Sequence, residues 1–363
     1  MKKALRILGK VGFFLLVFLL ISAGTLFAAG KMIAGDTSPA AKEMFITTLL
    51  ETGQLKFLAS LFASPEEIQA VVDGNSMATF SGEIDTSLIQ IKTSKESGQE
   101  SSHGTGDVGH GHDEPEEKDI EIIPISGRTF RGTLMIVRDP SRVSLTTIYP
   151  WREKGVTLDV LVKDAGAIAG INAGLYHSTN NSGGSPCGVV VSHGEIQHNG
   201  PKDNEGLVLI GLTEDNILEI VDLAGMSKKD VEKMVAERKI RDACTFQEES
   251  SDKNNHFVTL VLNGEKRSLT GTGSGLNPRT AIGQRADGAL LLLVTDGRGS
   301  SGHLGASAAD LIDIMVSYGA VNAANLDGGS SSCMYYDGDY LQTSVTFYYS
   351  NSSWRLPFAF VVN

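Results

Sequence analysis

An α+β fold, with a mixed, mostly antiparallel sheet, a few packing helices and an N-terminal transmembrane helix in front, follows from three features of the sequence. Residues 11–30 carry no charge and are almost wholly apolar. After Ile120 the chain becomes a succession of short apolar runs separated by turn dipeptides such as Asn263-Gly264 and Asp287-Gly288. Helical periodicity with proper start signals returns only briefly in that half, so strands joined largely by hairpins dominate it.

Taken in order, the run VGFFLLVFLLISAGTLFAAG at 11–30 has the length of a helix that crosses a hydrocarbon core of about 30 Å. Lys2, Lys3, Arg6 and Lys10 precede it and few positive charges follow before Asp36, which places the N-terminus in the cytoplasm and the rest of the chain outside, as a single-pass cell-membrane protein. A cleaved signal peptide has the same basic start, but the length of the stretch and the lack of a clean A-x-A site favour an uncleaved anchor in the lipid bilayer. Residues 31–73 form a juxtamembrane region whose apolar residues (Phe45, Leu49, Leu50, Leu55, Leu58, Leu61, Phe62) recur at helical spacing, with Ser64 and Pro65 opening a last turn. Two or three short helices are expected there, serving as a stalk or packing surface. Residues 74–119 turn polar and are expected to be a flexible tether. Its His103, His110 and His112 sit in a solvated linker that enforces no metal geometry.

Residues 120–363 are the expected catalytic domain. Strands are predicted at 132–137, 143–150, 188–191, 206–212, 256–262, 289–296 and 358–362. Two helices are predicted, from Ser227 to about Ile240 and from Ser307 to Tyr318. Ser227 and Asp230, and likewise Ser307 and Asp310, have capping-box spacing, and Gly319 stops the second helix.

Composition narrows the function. With 31 Lys plus Arg against 43 Asp plus Glu, a net charge of −12 and no long basic stripe, nucleic acid is excluded as a partner. At 41% hydrophobic and 20% charged residues, the chain is neither wholly disordered nor a multi-span membrane protein. Cys187, Cys244 and Cys333 are too few for a disulfide framework and have no CxxC spacing for zinc, so one disulfide at most can form.

Three Gly-rich segments place polar side chains directly after apolar strands, where a rigid sheet presents a loop to a ligand. At 171–191, Asn172 and His177 offer donors and acceptors beside a long loop, which read alone is a surface loop with turn glycines. At 273–302, antiparallel pairing across Asp287-Gly288 brings Arg279 to the same rim as Asp296 and Arg298. Two guanidiniums near a carboxylate suit an oxyanion, and equally a salt bridge that pins the hairpin end. At 320–338, a strand carries Asn325 and Leu326 into Asp327, and Gly328, Gly329 and Ser330 then offer amides and a hydroxyl to an anion. Asp327 is placed for burial or a neighbouring arginine to tune its pKa, although Asp-Gly is also an ordinary turn.

The strings NPRTAIG at 277–283, TDGR at 295–298, GASAADLIDIMVSYGAVNAANLDGGSSS at 305–332, and the upstream INAGLY and CGVVVSHGEI closely resemble the phosphodiester glycosidase family over roughly residues 125–363. Two positions depart from the family's pattern: Asn-Gly-Gly-Phe is here Asn172-Ala173-Gly174-Leu175-Tyr176, and Cys187 replaces a small or apolar residue.

The resemblance implies hydrolysis of a sugar from a glycosyl phosphodiester, through an oxocarbenium-like state in which the phosphate departs with growing negative charge. In that reading Arg279 and Arg298 meet the phosphate, supported by Ser330 and the Gly328 and Gly329 amides, while Asp327 and Asp296 are the carboxylates that activate water or stabilise the cation. Asn172 and His177 orient sugar or water, Thr280 and Asn325 line the substrate, and Asp310 stands behind the site on its helix. No cofactor and no metal are called for. The extracytoplasmic position suggests an envelope glycopolymer or exopolysaccharide as substrate. Two alternatives remain: a metal-dependent phosphodiesterase with Asp296, Asp327 and His177 as ligands, which lacks a tight ligand cluster such as HxHxDH, and a non-catalytic module that holds anionic wall polymers.

Overall fold

The computed structural model describes residues 2–35, 37–51, 53–91, 119–200, 206–247, 257–299, 302–345 and 351–363. The chain divides into two compact units, Met1–Asn75 and Ser76–Asn363. The smaller begins with the helix Lys2–Ile33, whose segment Arg6–Ile33 is long and apolar enough to cross a membrane. Helices Pro39–Leu50, Ala59–Phe62 and Pro65–Gly74 and the 3₁₀ turn Gly53–Leu58 follow. Ser64 caps the helix Pro65–Gly74 in a reciprocal box with Glu67, as its spacing predicts. Ile46, Leu50, Ala59 and Ala63 bury one another to form the unit's small core.

Of the expected tether, residues 76–91 are folded onto the larger unit. Met77 bridges Leu269, the Asp85 N–H donates to Asn263 Oδ1 at 2.8 Å, and the Gln90 N–H donates to the Ala286 carbonyl at 2.7 Å. Apolar residues interspersed there, Ile89 among them, have core to join. Residues 92–118, including His103, His110 and His112, lie outside the described residues.

The α+β expectation holds for the larger unit, with its strands shared among three main sheets. One has seven strands in the order Ile120–Ser126, Arg131–Val137, Leu290–Thr295, Thr280–Arg285, Ala320–Leu326, Thr259–Leu262, Glu265–Lys266. The second runs Leu218–Asp222, Leu207–Thr213, Ile240–Gln247, Val189–Ser192, Glu195–Asn199, and the third runs Asp339–Gln342, Met334–Tyr336, Ala169–Asn172, Phe358–Val362, Val143–Thr147. Neighbouring strands within them pair antiparallel.

One face of each sheet turns to a shared core, to which Met135, Ile282, Leu292, Ile210, Phe246, Ile171 and Phe360 belong. Each opposite face is covered by its own helix. Leu134, Leu291 and Leu293 pack under helix Ala308–Ser317, Val189 and Leu209 under Lys228–Glu237, and Ala359 and Val361 under Leu158–Asp164. Burial of both faces explains why runs such as Leu290-Leu291-Leu292-Leu293-Val294 are continuously apolar although the pairing is antiparallel.

Both predicted capping boxes form, Ser227 with Asp230 and Ser307 with Asp310. The first of these helices ends at Glu237, short of Ile240, because Ile240 starts a strand. Asn263 and Gly264, at φ 52° and 81°, make the two-residue turn between Leu262 and Glu265 that their dipeptide signals.

Candidate active site

The site forms where the start of strand Thr280–Arg285 meets the ends of Ala320–Leu326, Leu290–Thr295 and Ala169–Asn172. The pairing of Thr280 with Leu326 and with Val294 puts the second and third Gly-rich segments at one rim, and the hydrogen bonds of Asn172 bring in the first. Asn172, 1% exposed, ties them together. Its Nδ2 donates to the Asp327 carbonyl at 2.6 Å, and its Oδ1 accepts from Thr280 Oγ1 at 2.7 Å and from the Cys333 N–H at 3.1 Å. The Asp327 N–H donates to the Ala173 carbonyl at 3.0 Å. The Asn172 amide thus holds the backbone of Asp327, and the Thr280 hydroxyl in turn holds the Asn172 amide.

The Asp327 carboxyl is the titratable centre of the rim. Burial pushes it up to about 7, against the opposing pull of the Ser331 hydroxyl, the Gly328 N–H and the Arg298 guanidinium. Ser331 Oγ lies 2.9 Å from the hydroxyl of Tyr176, which makes a relay of Tyr176, Ser331 and Asp327. Burial, and then the charge of Asp327, raise the Tyr176 phenol well above its ordinary value, so it stays protonated. Tyr176 is a residue that sequence reasoning passed over.

Arg298 stands beside this carboxyl with φ at 55°, a strained setting for a residue with a side chain. Its Nη1 donates to Ser330 Oγ at 2.8 Å and its Nε to Asn277 Oδ1 at 3.0 Å. Gly329, at φ 64°, leaves room for it: a Cβ there would lie 2.6 Å from Arg298 Nη2. The two glycine amides expected to face an anion have partners within the chain: the Gly329 N–H donates to the Pro278 carbonyl at 2.8 Å and the Gly328 N–H bonds to the Asp327 carboxyl.

The two arginines part company. Arg279 is 7% exposed, stacks with its guanidinium carbon 5.1 Å from the Phe257 ring centre, and donates to the Ala306 carbonyl, Ser274 Oγ and the Gly275 carbonyl at 3.2, 3.0 and 2.9 Å. Strand alternation sends it to the face opposite Thr280, where it pins two loops. Asn325 lies on that same face, with its Nδ2 donating to the Phe257 carbonyl at 2.9 Å. Asp310 caps helix Ala308–Ser317, accepting from the Ser307 N–H and Oγ at 2.8 and 2.7 Å.

Asp296 anchors the loop that carries Arg298. Its Oδ1 accepts from the Arg131 N–H at 2.8 Å and its Oδ2 lies 2.5 Å from Nδ1 of His303, a residue the motif strings did not single out. The Arg298 N–H donates to the Leu304 carbonyl and the Gly299 N–H to the His303 carbonyl, so the Asp296–His303 bond closes the base of this loop. A histidine seven residues beyond an aspartate, on the far side of a Gly-rich turn, was the signal available. His177 is exposed and sits against Cys187. Among the described residues no three His, Cys, Asp or Glu side chains group as metal ligands, and Asp296, Asp327 and His177 do not converge.

The family model described as phosphodiester glycosidase matches residues 165–363. Among solved structures, the fold is similar to the catalytic domain of zebrafish N-acetylglucosamine-1-phosphodiester alpha-N-acetylglucosaminidase auto-inhibited by its pro-peptide. The TM-score is 0.52 at 17% identity, over 69% of this chain and 85% of that one. A protein from Synechocystis aligns over 67% of this chain and 61% of its own, at 18% identity and a TM-score of 0.42. The SPbeta prophage-derived uncharacterized protein YomE of Bacillus subtilis strain 168 is 45% identical over 65 residues, which is 18% of this chain and 10% of that protein.

Proposed function

The chain belongs to the phosphodiester glycosidase family, and on that basis we propose that it is a membrane-anchored hydrolase that removes a sugar from a glycosyl phosphodiester outside the cytoplasm. The observation that carries the reading is the juxtaposition at one strand end of a carboxyl held near neutrality, Asp327, and a constrained cation, Arg298. Such a pair suits a reaction in which an anomeric centre becomes cationic while a phosphate leaves.

In this reading the Arg298 guanidinium and Ser330 hydroxyl meet the phosphate and stabilise the charge it gains. A phosphomonoester is a better leaving group than a sugar alkoxide, so the carboxyl serves best ionised, drawing a proton from water or facing the oxocarbenium ion. With the group at about 7, both forms are present at neutral pH. The relay through Ser331 to Tyr176 orients the carboxyl, and Asp296 with His303 holds the Arg298 loop. Arg279, which the sequence paired with Arg298, has a structural role here.

The apolar segment Arg6–Ile33, preceded in the same helix by Lys2 and Lys3, supports a cytoplasmic N-terminus and a bilayer anchor. The location favours an envelope glycopolymer or exopolysaccharide as the source of the phosphodiester. The test incubates the full chain in detergent micelles with UDP-N-acetylglucosamine and a simple N-acetylglucosaminyl phosphodiester in oxygen-18 water, with and without EDTA, and reads products by mass spectrometry. Label in the sugar is expected. Label in the phosphate, or binding of both compounds without any release, would overturn the proposal.

A further inference from the structure

We propose that Cys187 and His177 form a thiol–imidazole pair that makes Cys187 a site of covalent modification by soft electrophiles, organic disulfides among them. The two-stranded ribbon Tyr176–His177 with Ser185–Pro186 sets the geometry. Tyr176 pairs with Pro186 and His177 with Ser185, and the Cys187 N–H donates to the Leu175 carbonyl at 3.1 Å. This register puts Leu175 opposite Cys187, so His177 and Cys187 are diagonal neighbours on one face. Cys187 Sγ lies 3.3 Å from His177 Nε2. The backbone around the thiol is held, because Thr245 Oγ1 donates to the Cys187 carbonyl at 2.9 Å and Gly188 follows at φ 71°.

A nucleophile and a base within hydrogen-bond reach make a reactive thiol when the pair has access to solvent. Here His177 is exposed, and Cys187, although buried, keeps 9% of its surface open beside it. The other two thiols provide the contrast. Cys244 and Cys333 are both 0% exposed, and burial pushes the Cys333 thiol up to about 12 and that of Cys244 higher still. Neither presents a thiolate, so reactivity concentrates at one position of three.

With a disulfide the step is thiol–disulfide exchange. His177 takes the Cys187 proton as the thiolate attacks one sulfur. A mixed disulfide forms at Cys187, and the second sulfur leaves and recovers the proton from His177 as a free thiol. With iodoacetamide a sulfur–carbon bond forms, iodide leaves, and the proton passes through His177 to solvent. An adduct would stand on the ribbon whose Tyr176 hydroxyl reaches Ser331. The proposal itself rests on the dyad and not on the glycosidase reading.

The test treats the full chain in detergent micelles with iodoacetamide at pH 7 and maps the labelled cysteines by peptide mass spectrometry over time. A parallel sample receives oxidised glutathione. Cys187 is expected to be alkylated and to take up one glutathione, with Cys244 and Cys333 unmodified until denaturant is added. His177→Ala is expected to slow alkylation of Cys187 roughly tenfold while thermal melting is unchanged. Equal rates in the wild type and His177→Ala, or labelling of Cys244 or Cys333 as fast as Cys187, would overturn the proposal.

Discussion

Asp327→Asn should cost the protein its turnover and make it more stable, with the gain appearing only as the pH rises. Burial lifts this carboxyl from an ordinary 3.8 to about 7. The sign follows from proton linkage: between those values the folded state holds a proton that the unfolded state releases, so the wild type loses stability as the pH climbs from about 4 to about 7 and levels off above. Each pH decade corresponds to about 1.4 kcal/mol, which bounds the effect at about 4 kcal/mol. Asp327 keeps a solvent edge, and a polar environment softens the penalty, so about 2 kcal/mol is the expected gain. Asparagine stands in for the protonated acid: it removes the buried charge and still accepts from Ser331 and Gly328. Melting curves of the full chain at pH 4 and pH 8 check this. Wild type and variant should melt together at pH 4, and the variant about 5 °C higher at pH 8. A variant less stable at pH 8, or one with the same gain at both pH values, would refute the argument that burial raises this group.

Arg298→Ala should lower kcat/KM on a glycosyl phosphodiester by about 100-fold to 1000-fold, the range for removing one transition-state donor, with little loss of stability; unchanged kinetics would sink its assignment to the phosphate. Arg279→Ala should act the other way, unfolding at a urea concentration lower by the equivalent of about 3 kcal/mol, because three buried acceptors lose a charged donor, while the folded fraction keeps its KM. His303→Ala should raise KM several-fold more than it lowers kcat, since it frees the loop that presents Arg298; His303→Gln, which can still donate to Asp296, should recover most of the loss, and failure of that rescue would argue against a positioning role. The pH profile of kcat/KM should rise to a plateau with a midpoint near 7 in the wild type, and a profile flat from pH 5 to pH 9 would argue against Asp327 acting as the ionised carboxylate.

Much of this was readable along the chain because it depends on near neighbours. Ser227 with Asp230 and Ser307 with Asp310 need only a three-residue spacing to close a capping box, and Asn263-Gly264 needs only its own backbone freedom to turn a hairpin. The fold class followed from short apolar runs, and the grouping of Arg298 with Ser330 and Asp327 from the resemblance of their motifs to the phosphodiester glycosidase family. Helix Leu158–Asp164 escaped notice because it is short and recognisable chiefly by the sheet it covers.

The roles of individual side chains were decided elsewhere. Arg279 and Arg298 look alike in the sequence, yet pairing register turns one into a core between Phe257 and Ala306 and leaves the other on the rim. Asn172 reads as a ligand group until Thr280, Cys333 and Asp327, distant in the chain, occupy its amide. His303 acquires a partner only when its loop folds back on Asp296, and Cys187 acquires His177 only across a two-residue ribbon. The sequence by itself determined most of the strands and the caps and turns described above, because these depend on local conformational preference and on the burial of apolar faces. Only the tertiary structure decided which carboxyl is buried and which cation faces it, because desolvation and hydrogen bonding depend on groups that long-range strand pairing brings within a few ångströms.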